Sequence, residues 1–327
     1  MDKTSISPKR VLVFGATGTA GSAAVRDLRD AGHHVTCFLR SDSPARSALP
    51  SDVEMRFGNV TDPKALRDVA FAGAPFDAVV SCLASRSGLP ADAWAIDCEA
   101  HRSILRAAQA AHVGHMVQLS AICVQKPKLA FQQAKLAFEK DLVASGLTYS
   151  IVRPTAFFKS LSGQFDRVQN GKPFLVFGDG RLTACKPISD RDLGRYMTRC
   201  LSDPDLQNKI LPIGGPSPAL TPLDQAELLF QATGQTPRIR HVPLAMMRAI
   251  AGALTGLGYV DQGAAQKAEL AKIGLYYGSE SMLVWDADRH RYDTDATPEF
   301  GSDRLEEHYR AMAEGRVHID LGVHAVF

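Results

Sequence analysis

Three glycines spaced three residues apart, Gly15, Gly18 and Gly21, stand in the stretch Gly15-Ala16-Thr17-Gly18-Thr19-Ala20-Gly21, directly after the apolar run Val11 to Phe14. At that spacing Gly15 allows a tight turn off a strand, Gly18 lets the backbone approach a pyrophosphate with no Cβ in the way, and Gly21 seats a helix closely on a sheet. The unpaired N–H groups of the helix's first turn, with Thr17 and Thr19 in the same turn, would hold the phosphates. After the next apolar run, Val35 to Leu39, an NADH site would carry a carboxylate for the ribose hydroxyls. This chain has Arg40 there, followed by Ser41, Ser43 and Arg46. A guanidinium offers paired donors to a 2′-phosphate, so NADPH is the expected cofactor and Arg40 the residue that selects it.

Such residues work only if elements hold them in place. Arg10 to Arg40 reads as strand, glycine turn, helix and strand, one βαβ unit, and that order gives weight to a glycine pattern that would be weak alone. Further strands are expected at 53–57, 78–82, 115–120 and 147–153. The segment Gly58-Asn59-Val60-Thr61-Asp62-Pro63 stops one strand, puts Asn59 and Val60 where an adenine edge is met, and offers Thr61 or Asp62 as a helix cap. Leu83-Ala84-Ser85-Arg86 supplies small residues where the nicotinamide half passes, and Ser120 ends the 115–120 strand. A helix is expected over 92–111 with Ile96, Ala100, Ile104, Ala107 and Ala111 on its buried face. The fold class is therefore α/β, a Rossmann-type doubly wound parallel sheet with a smaller C-terminal substrate-covering lobe. Residues 1–155 form the NADP(H)-binding core; 156–327 complete it and form the lobe. The apolar stretch Ala245 to Val260 is too short and glycine-broken to span a bilayer, which leaves a buried helix, a cavity wall or a membrane-touching face open.

Composition narrows the class. The 327 residues carry 37 Lys+Arg against 35 Asp+Glu, a net charge of +2 with no long block of one sign, so no nucleic-acid footprint is present. Six scattered cysteines without a CxxC pair fit neither a disulfide framework nor a metal cluster, and ten histidines show no HExxH spacing. No catalytic metal is expected. The opening MDKTSISPKR lacks an apolar signal region, and the expectation is a soluble, cytoplasmic protein in a reducing compartment. Oligomeric state is left open.

With the glycine turn, Gly58-Asn59-Val60-Thr61-Asp62 and Leu147-Thr148-Tyr149-Ser150-Ile151-Val152-Arg153-Pro154, the chain resembles the atypical, extended short-chain dehydrogenase/reductase superfamily, in the group of NmrA-like and isoflavone-reductase-like proteins. Three further stretches resemble a narrower family, the divinyl chlorophyllide 8-vinyl reductases of chlorophyll and bacteriochlorophyll synthesis. They are Val176-Phe177-Gly178-Asp179-Gly180 with Lys186-Pro187-Ile188-Ser189, then Glu280-Ser281-Met282-Leu283-Val284-Trp285-Asp286, and Ala296-Thr297-Pro298-Glu299-Phe300-Gly301. The resemblance implies NADPH-dependent reduction of the 8-vinyl group of divinyl chlorophyllide or protochlorophyllide to ethyl. Most of the superfamily has Tyr-x-x-x-Lys where this chain has Phe131-Gln132-Gln133-Ala134-Lys135. Loss of the phenol argues against alcohol–ketone chemistry and suits hydride addition to a double bond conjugated to a macrocycle. Lys135 is then expected at the nicotinamide ribose, with its positive field near the hydride carbon. Candidate proton donors are Tyr149, Lys126, Lys186, Tyr276, Tyr277 and water, with Lys126 favoured by its place after the Ser120 strand end. Tyr276, Tyr277, Met282 and Trp285, with Met246, Met247 and Leu254, are expected substrate walls. The alternatives are an NmrA-like redox sensor that holds the dinucleotide without turnover, and a reductase or epimerase of another aromatic or quinone-like substrate.

Overall fold

The computed structural model describes residues 7–41, 47, 49–73, 75–216, 218–258 and 261–318. Ser43 and Arg46 lie outside them. Seven strands make one sheet: β1 (Arg10–Phe14), β2 (His34–Leu39), β3 (Glu54–Phe57), β4 (Ala78–Ser81), β5 (His115–Leu119), β6 (Thr148–Pro154) and β8 (Lys209–Ile213), in the order β3-β2-β1-β4-β5-β6-β8. Every pairing is parallel, with Leu12 opposite Thr36 on one side and Val79 on the other. Sheets covered on both faces need continuous apolar strands, and Val11, Leu12, Val13 and Phe14 are all fully buried. Alternate residues feed two cores. Val11, Val13, Val80 and Val117 meet the helices Thr19–Asp30 and Asp190–Cys200, while Leu12, Phe14, Val79 and Met116 meet His101–Ala110 and Ala130–Val143. The strand order reverses between β1 and β4, which opens a crevice at their carboxyl ends, the usual ligand position in such sheets.

Residues beyond 155 contribute β8 and the Asp190–Cys200 helix to the sheet layers. They also build a third core from Phe158, Val168, Phe174, Val176, Leu229, Phe230 and Tyr309, around the parallel ribbon of β7 (Phe174–Phe177) and β9 (Ile239–Val242). A short antiparallel pair, β10 (Val284–Asp286) and β11 (Arg291–Asp293), comes after the helix Gln262–Tyr277.

Two elements depart from expectation. The 92–111 segment is a short helix Pro90–Ala93, a π-helical turn Trp94–Ala100 and the helix His101–Ala110. A π turn takes an extra residue per hydrogen-bonded loop and rotates the residues after it about the helix axis, so Asp97 and His101 turn inward (1% and 0% exposed) while Ile96, expected inside, is half-buried. Of the apolar Ala245–Val260 stretch, Tyr259 and Val260 lie outside the described residues; the rest falls largely in the helix Leu244–Leu257, of which only Ala251 is buried, with Met246, Ile250 and Leu257 facing solvent. It is thus not a core helix; Met247 and Leu254 on it are half-buried. Among the described residues no helix is long and apolar enough to cross a membrane.

Candidate functional site at the carboxyl edge of the sheet

The glycine turn joins β1 to the Thr19–Asp30 helix at the crevice. Gly15 sits at φ +74°, and a Cβ there would lie 2.6 Å from the Cys82 carbonyl carbon; one at Gly21 would lie 2.1 Å from the Gly15 oxygen. These two glycines serve the protein's own packing. Gly18 differs: a Cβ on it would meet only the Gly15 oxygen, at 3.4 Å. Gly18 is also the N-cap, and no side chain caps this helix start, so its first-turn N–H groups are left for a ligand. A cradle that a methyl group would fill, beside an uncapped helix, fits a dinucleotide pyrophosphate. Thr17 and Thr19 are half-buried in the same turn, and Arg40 leaves the end of β2 with its side chain exposed. Asn59 is exposed, its Oδ1 accepting from the Thr61 N–H and hydroxyl at 3.0 and 2.9 Å. Val60 instead turns its side chain into the core beside Phe38 and Leu66, which leaves only its backbone to a nucleotide. Asp62 is the cap of the next helix, accepting from Lys64 N at 2.9 Å.

The edge after β4 and β5 is built on charges that the fold keeps dry. Lys135, on the Ala130–Val143 helix, is 8% exposed, and its Nζ lies 3.0 Å from Asp97 Oδ1. Asp97 Oδ2 accepts from Ser85 Oγ at 2.5 Å, so one buried carboxylate ties the ammonium to the loop after β4. An ammonium has three donors, and this pair uses one. His101 Nε2 lies 2.9 Å from Ser81 Oγ and its Nδ1 2.8 Å from the Ile96 carbonyl. Burial, then the nearby Lys135 charge, pushes that imidazole down to about 4, so it is neutral near pH 7. Ser120, expected at the cofactor, donates its hydroxyl to Glu139 at 2.5 Å, and Glu139 in turn is paired with Arg153. Its side chain is thereby committed to a buried network under the site. Sequence reading missed Asp97 altogether, because a uniform helical period placed Ile96 inside.

The lobe closes over this edge through a second carboxylate. Glu280 accepts from Lys126 Nζ at 2.6 Å, from Lys128 Nζ and from Tyr292 Oη at 2.6 Å. Lys126 Nζ also sits 4.1 Å from the centroid of the Trp285 ring. Gln125 donates to the Leu283 carbonyl at 2.6 Å and accepts from Trp285 N at 2.8 Å. The 280–286 segment is therefore a clasp on the loop after β5, and Lys126 and Trp285 belong to that clasp rather than standing free as proton donor and substrate wall. A similar clasp joins Lys186 to Glu299, at 2.6 Å. Tyr276 is buried and half-buried Met282 packs in the same cluster with Phe131 and Cys123. Tyr277 is about one-third exposed.

Burial alone would raise the Glu280 carboxyl, but the donors from Lys126, Lys128 and Tyr292 outweigh it and bring the group from 4.5 down to about 2. A depressed folded-state value gives stability that is full above the unfolded value and lost as pH falls through the folded one. In thermal melts Glu280→Gln should therefore be less stable than the parent near neutrality, with the gap closing between pH about 4.5 and about 2. A gap that keeps its size at the acid end would contradict this account of the clasp.

A cleft of about 390 Å³ lined by Arg10, Arg29, His34, Asp52 and Glu54 opens at the amino edge of the sheet, away from the glycine turn. The reactive groups lie at the opposite edge, and the cleft plays no part in the site. Among the described residues no cluster of three His, Cys, Asp or Glu could hold a metal ion.

A family profile described as NAD(P)H-binding matches residues 15–204. The divinyl chlorophyllide a 8-vinyl-reductase of Zea mays is 47% identical over 98% of this chain and 84% of its own length, and that of Arabidopsis thaliana is 42% identical over 97% and 80%. An NADPH-dependent quinone oxidoreductase of Escherichia coli, crystallised with NADPH, superposes with a TM-score of 0.67 at 19% identity, covering 92% of this chain and 99% of that one. At that identity the likeness concerns the fold.

Proposed function

We propose, from the premise that this chain belongs to the NAD(P)H-binding family and within it to the family of the divinyl chlorophyllide a 8-vinyl-reductases, that it is an NADPH-dependent reductase converting the 8-vinyl group of a divinyl (proto)chlorophyllide to ethyl. The observation that carries this reading is 47% identity over 98% of the chain to a protein of that name. The site supports it. Bound NADPH would supply a hydride, and a macrocycle conjugated to the vinyl group spreads the charge that hydride addition creates. No alkoxide forms, so Phe131 in place of a phenol is chemically tolerable.

The chain's own groups divide the remaining work. The backbone at Gly18 and the first turn from Thr19 receive the pyrophosphate. Arg40, exposed beside the crevice, pairs with a 2′-phosphate and so favours NADPH over NADH. Lys135, held by Asp97 at 3.0 Å, keeps two donors for the nicotinamide ribose and sets a positive field where negative charge develops.

Purified protein incubated with divinyl chlorophyllide or divinyl protochlorophyllide should yield the 8-ethyl pigment with NADPH, and far less with NADH. Chromatography and the blue-region absorption of the pigment report the conversion. If both pigments stay divinyl while NADPH is demonstrably bound, the assignment is to be dropped.

A further inference from the structure

Resting on the reductase reading, we propose that the hydroxyl of Tyr277 supplies the proton that completes the reduction, from the lobe side of the site, in the role that Phe131 cannot fill. The Gln262–Tyr277 helix ends in two adjacent phenols whose rings stand nearly perpendicular, 5.5 Å apart. Their hydroxyls are in different situations. Tyr276 Oη donates to the Cys123 carbonyl at 2.9 Å and lies 3.2 Å from the Lys126 carbonyl, so its proton is spent on holding the loop after β5. Tyr277 Oη has a single hydrogen-bond partner among the described residues, Cys123 Sγ at 3.9 Å. A thiol sulfur is a weak acceptor, and the Tyr277 proton remains available.

The surroundings place that hydroxyl at the reacting end. Cys123 comes soon after Ser120 at the carboxyl edge of β5, and its buried thiol is the group that the Tyr277 hydroxyl reaches from the lobe, at 3.9 Å. Phe131, at the position of the missing phenol, packs in the same cluster as Cys123 and Tyr276. Beside it Gln132 is fully buried, its Oε1 accepting from Lys128 N and Leu129 N, which ties the start of that helix to the loop after β5. A phenol ordinarily titrates at about 10, so the Tyr277 hydroxyl carries its proton at working pH.

The chemistry balances. Hydride addition to one vinyl carbon breaks the π bond and moves its electron pair into the conjugated ring. That pair takes the phenolic proton at the second carbon, forming the second C–H bond, and water reprotonates the phenolate. The nicotinamide is oxidised and the vinyl group is reduced to ethyl.

Tyr277→Phe should lower kcat by about a hundredfold or more, the usual contribution of a positioned acid. Its NADPH affinity by fluorescence titration, its pigment affinity by absorption shift and its Tm should stay near the parent's. Tyr276→Phe should show the reverse, a lower Tm with kcat largely kept in the folded fraction. Phe131→Tyr placed in the Tyr277→Phe background should return part of the turnover, since it restores a phenol to the same cluster. Unchanged kcat in Tyr277→Phe, or loss of pigment binding in step with activity, would overturn the proposal. A parent protein that leaves the pigment divinyl would instead fail the reductase reading itself, and the two failures are told apart by the parent's own turnover.

Discussion

Gly18→Ala is expected to leave the fold intact and to remove NADPH binding. Gly18 has φ −76° and ψ 167°, which alanine adopts freely, and an added Cβ meets nothing closer than the Gly15 oxygen at 3.4 Å. Alanine is a poorer N-cap than glycine by a few tenths to about 1 kcal/mol, and a stiffer unfolded chain returns a similar amount. Stability should therefore change little. The methyl group would, however, occupy the place where a pyrophosphate must touch backbone, and a loss of on the order of a hundredfold in Kd, about 3 kcal/mol, is expected. Gly21→Ala is the contrasting variant. Its Cβ would lie 2.1 Å from the Gly15 oxygen, so it should lose binding and melt early. Fluorescence titration with NADPH beside thermal melts separates the two. Parent-like affinity in Gly18→Ala would mean that the phosphates lie elsewhere.

Asp97→Asn should be the most damaging conservative change in the chain. Asp97 and Lys135 are 1% and 8% exposed, and neutralising one partner strands the other charge in a dry site, at a cost of about 3–5 kcal/mol. The expected fall in Tm is on the order of 10 °C. The Ser85 hydroxyl also loses its charged acceptor, held at 2.5 Å, so the loop after β4 should loosen. The double variant Asp97→Asn, Lys135→Met removes both charges and should recover much of the stability. It should not recover NADPH affinity if, as proposed, the Lys135 ammonium serves the nicotinamide ribose. Recovery of both would reduce the pair to a structural role, and an undiminished Tm in Asp97→Asn would show that Lys135 has another partner.

Much of the N-terminal strand, turn and helix was legible because its determinants are local. Gly15, Gly18 and Gly21 lie within one turn of chain, and their spacing against an apolar run suffices to specify strand, turn and helix. Gly15 indeed has a positive φ and Gly21 the closest packing, as the spacing implies. The parallel sheet is encoded in runs such as Val11 to Phe14, apolar on both faces because both faces are covered. The narrower resemblance rested on the markers at 176–180, 186–189, 280–286 and 296–301 and agrees with 47% identity to a reductase of that family.

Tertiary structure alone decided which charges meet. Lys126 stood out in sequence as a loop lysine at the productive edge, yet Glu280, 154 residues away, takes its ammonium. Ser120 looked free at a strand end, yet Glu139 takes its hydroxyl. Asp97 was invisible because hydrophobic periodicity assumes one helical pitch, and the π turn over Trp94–Ala100 breaks it. Tyr276 and Tyr277 are chemically identical neighbours in the sequence, and only the placement of Cys123 distinguishes a phenol spent on a carbonyl from one left to donate. Backbone conformation is set by neighbours a few residues apart, so glycine spacing can be read directly. The partner of a buried charge or hydroxyl is chosen by which elements the folded sheet brings together, and that choice leaves no local trace.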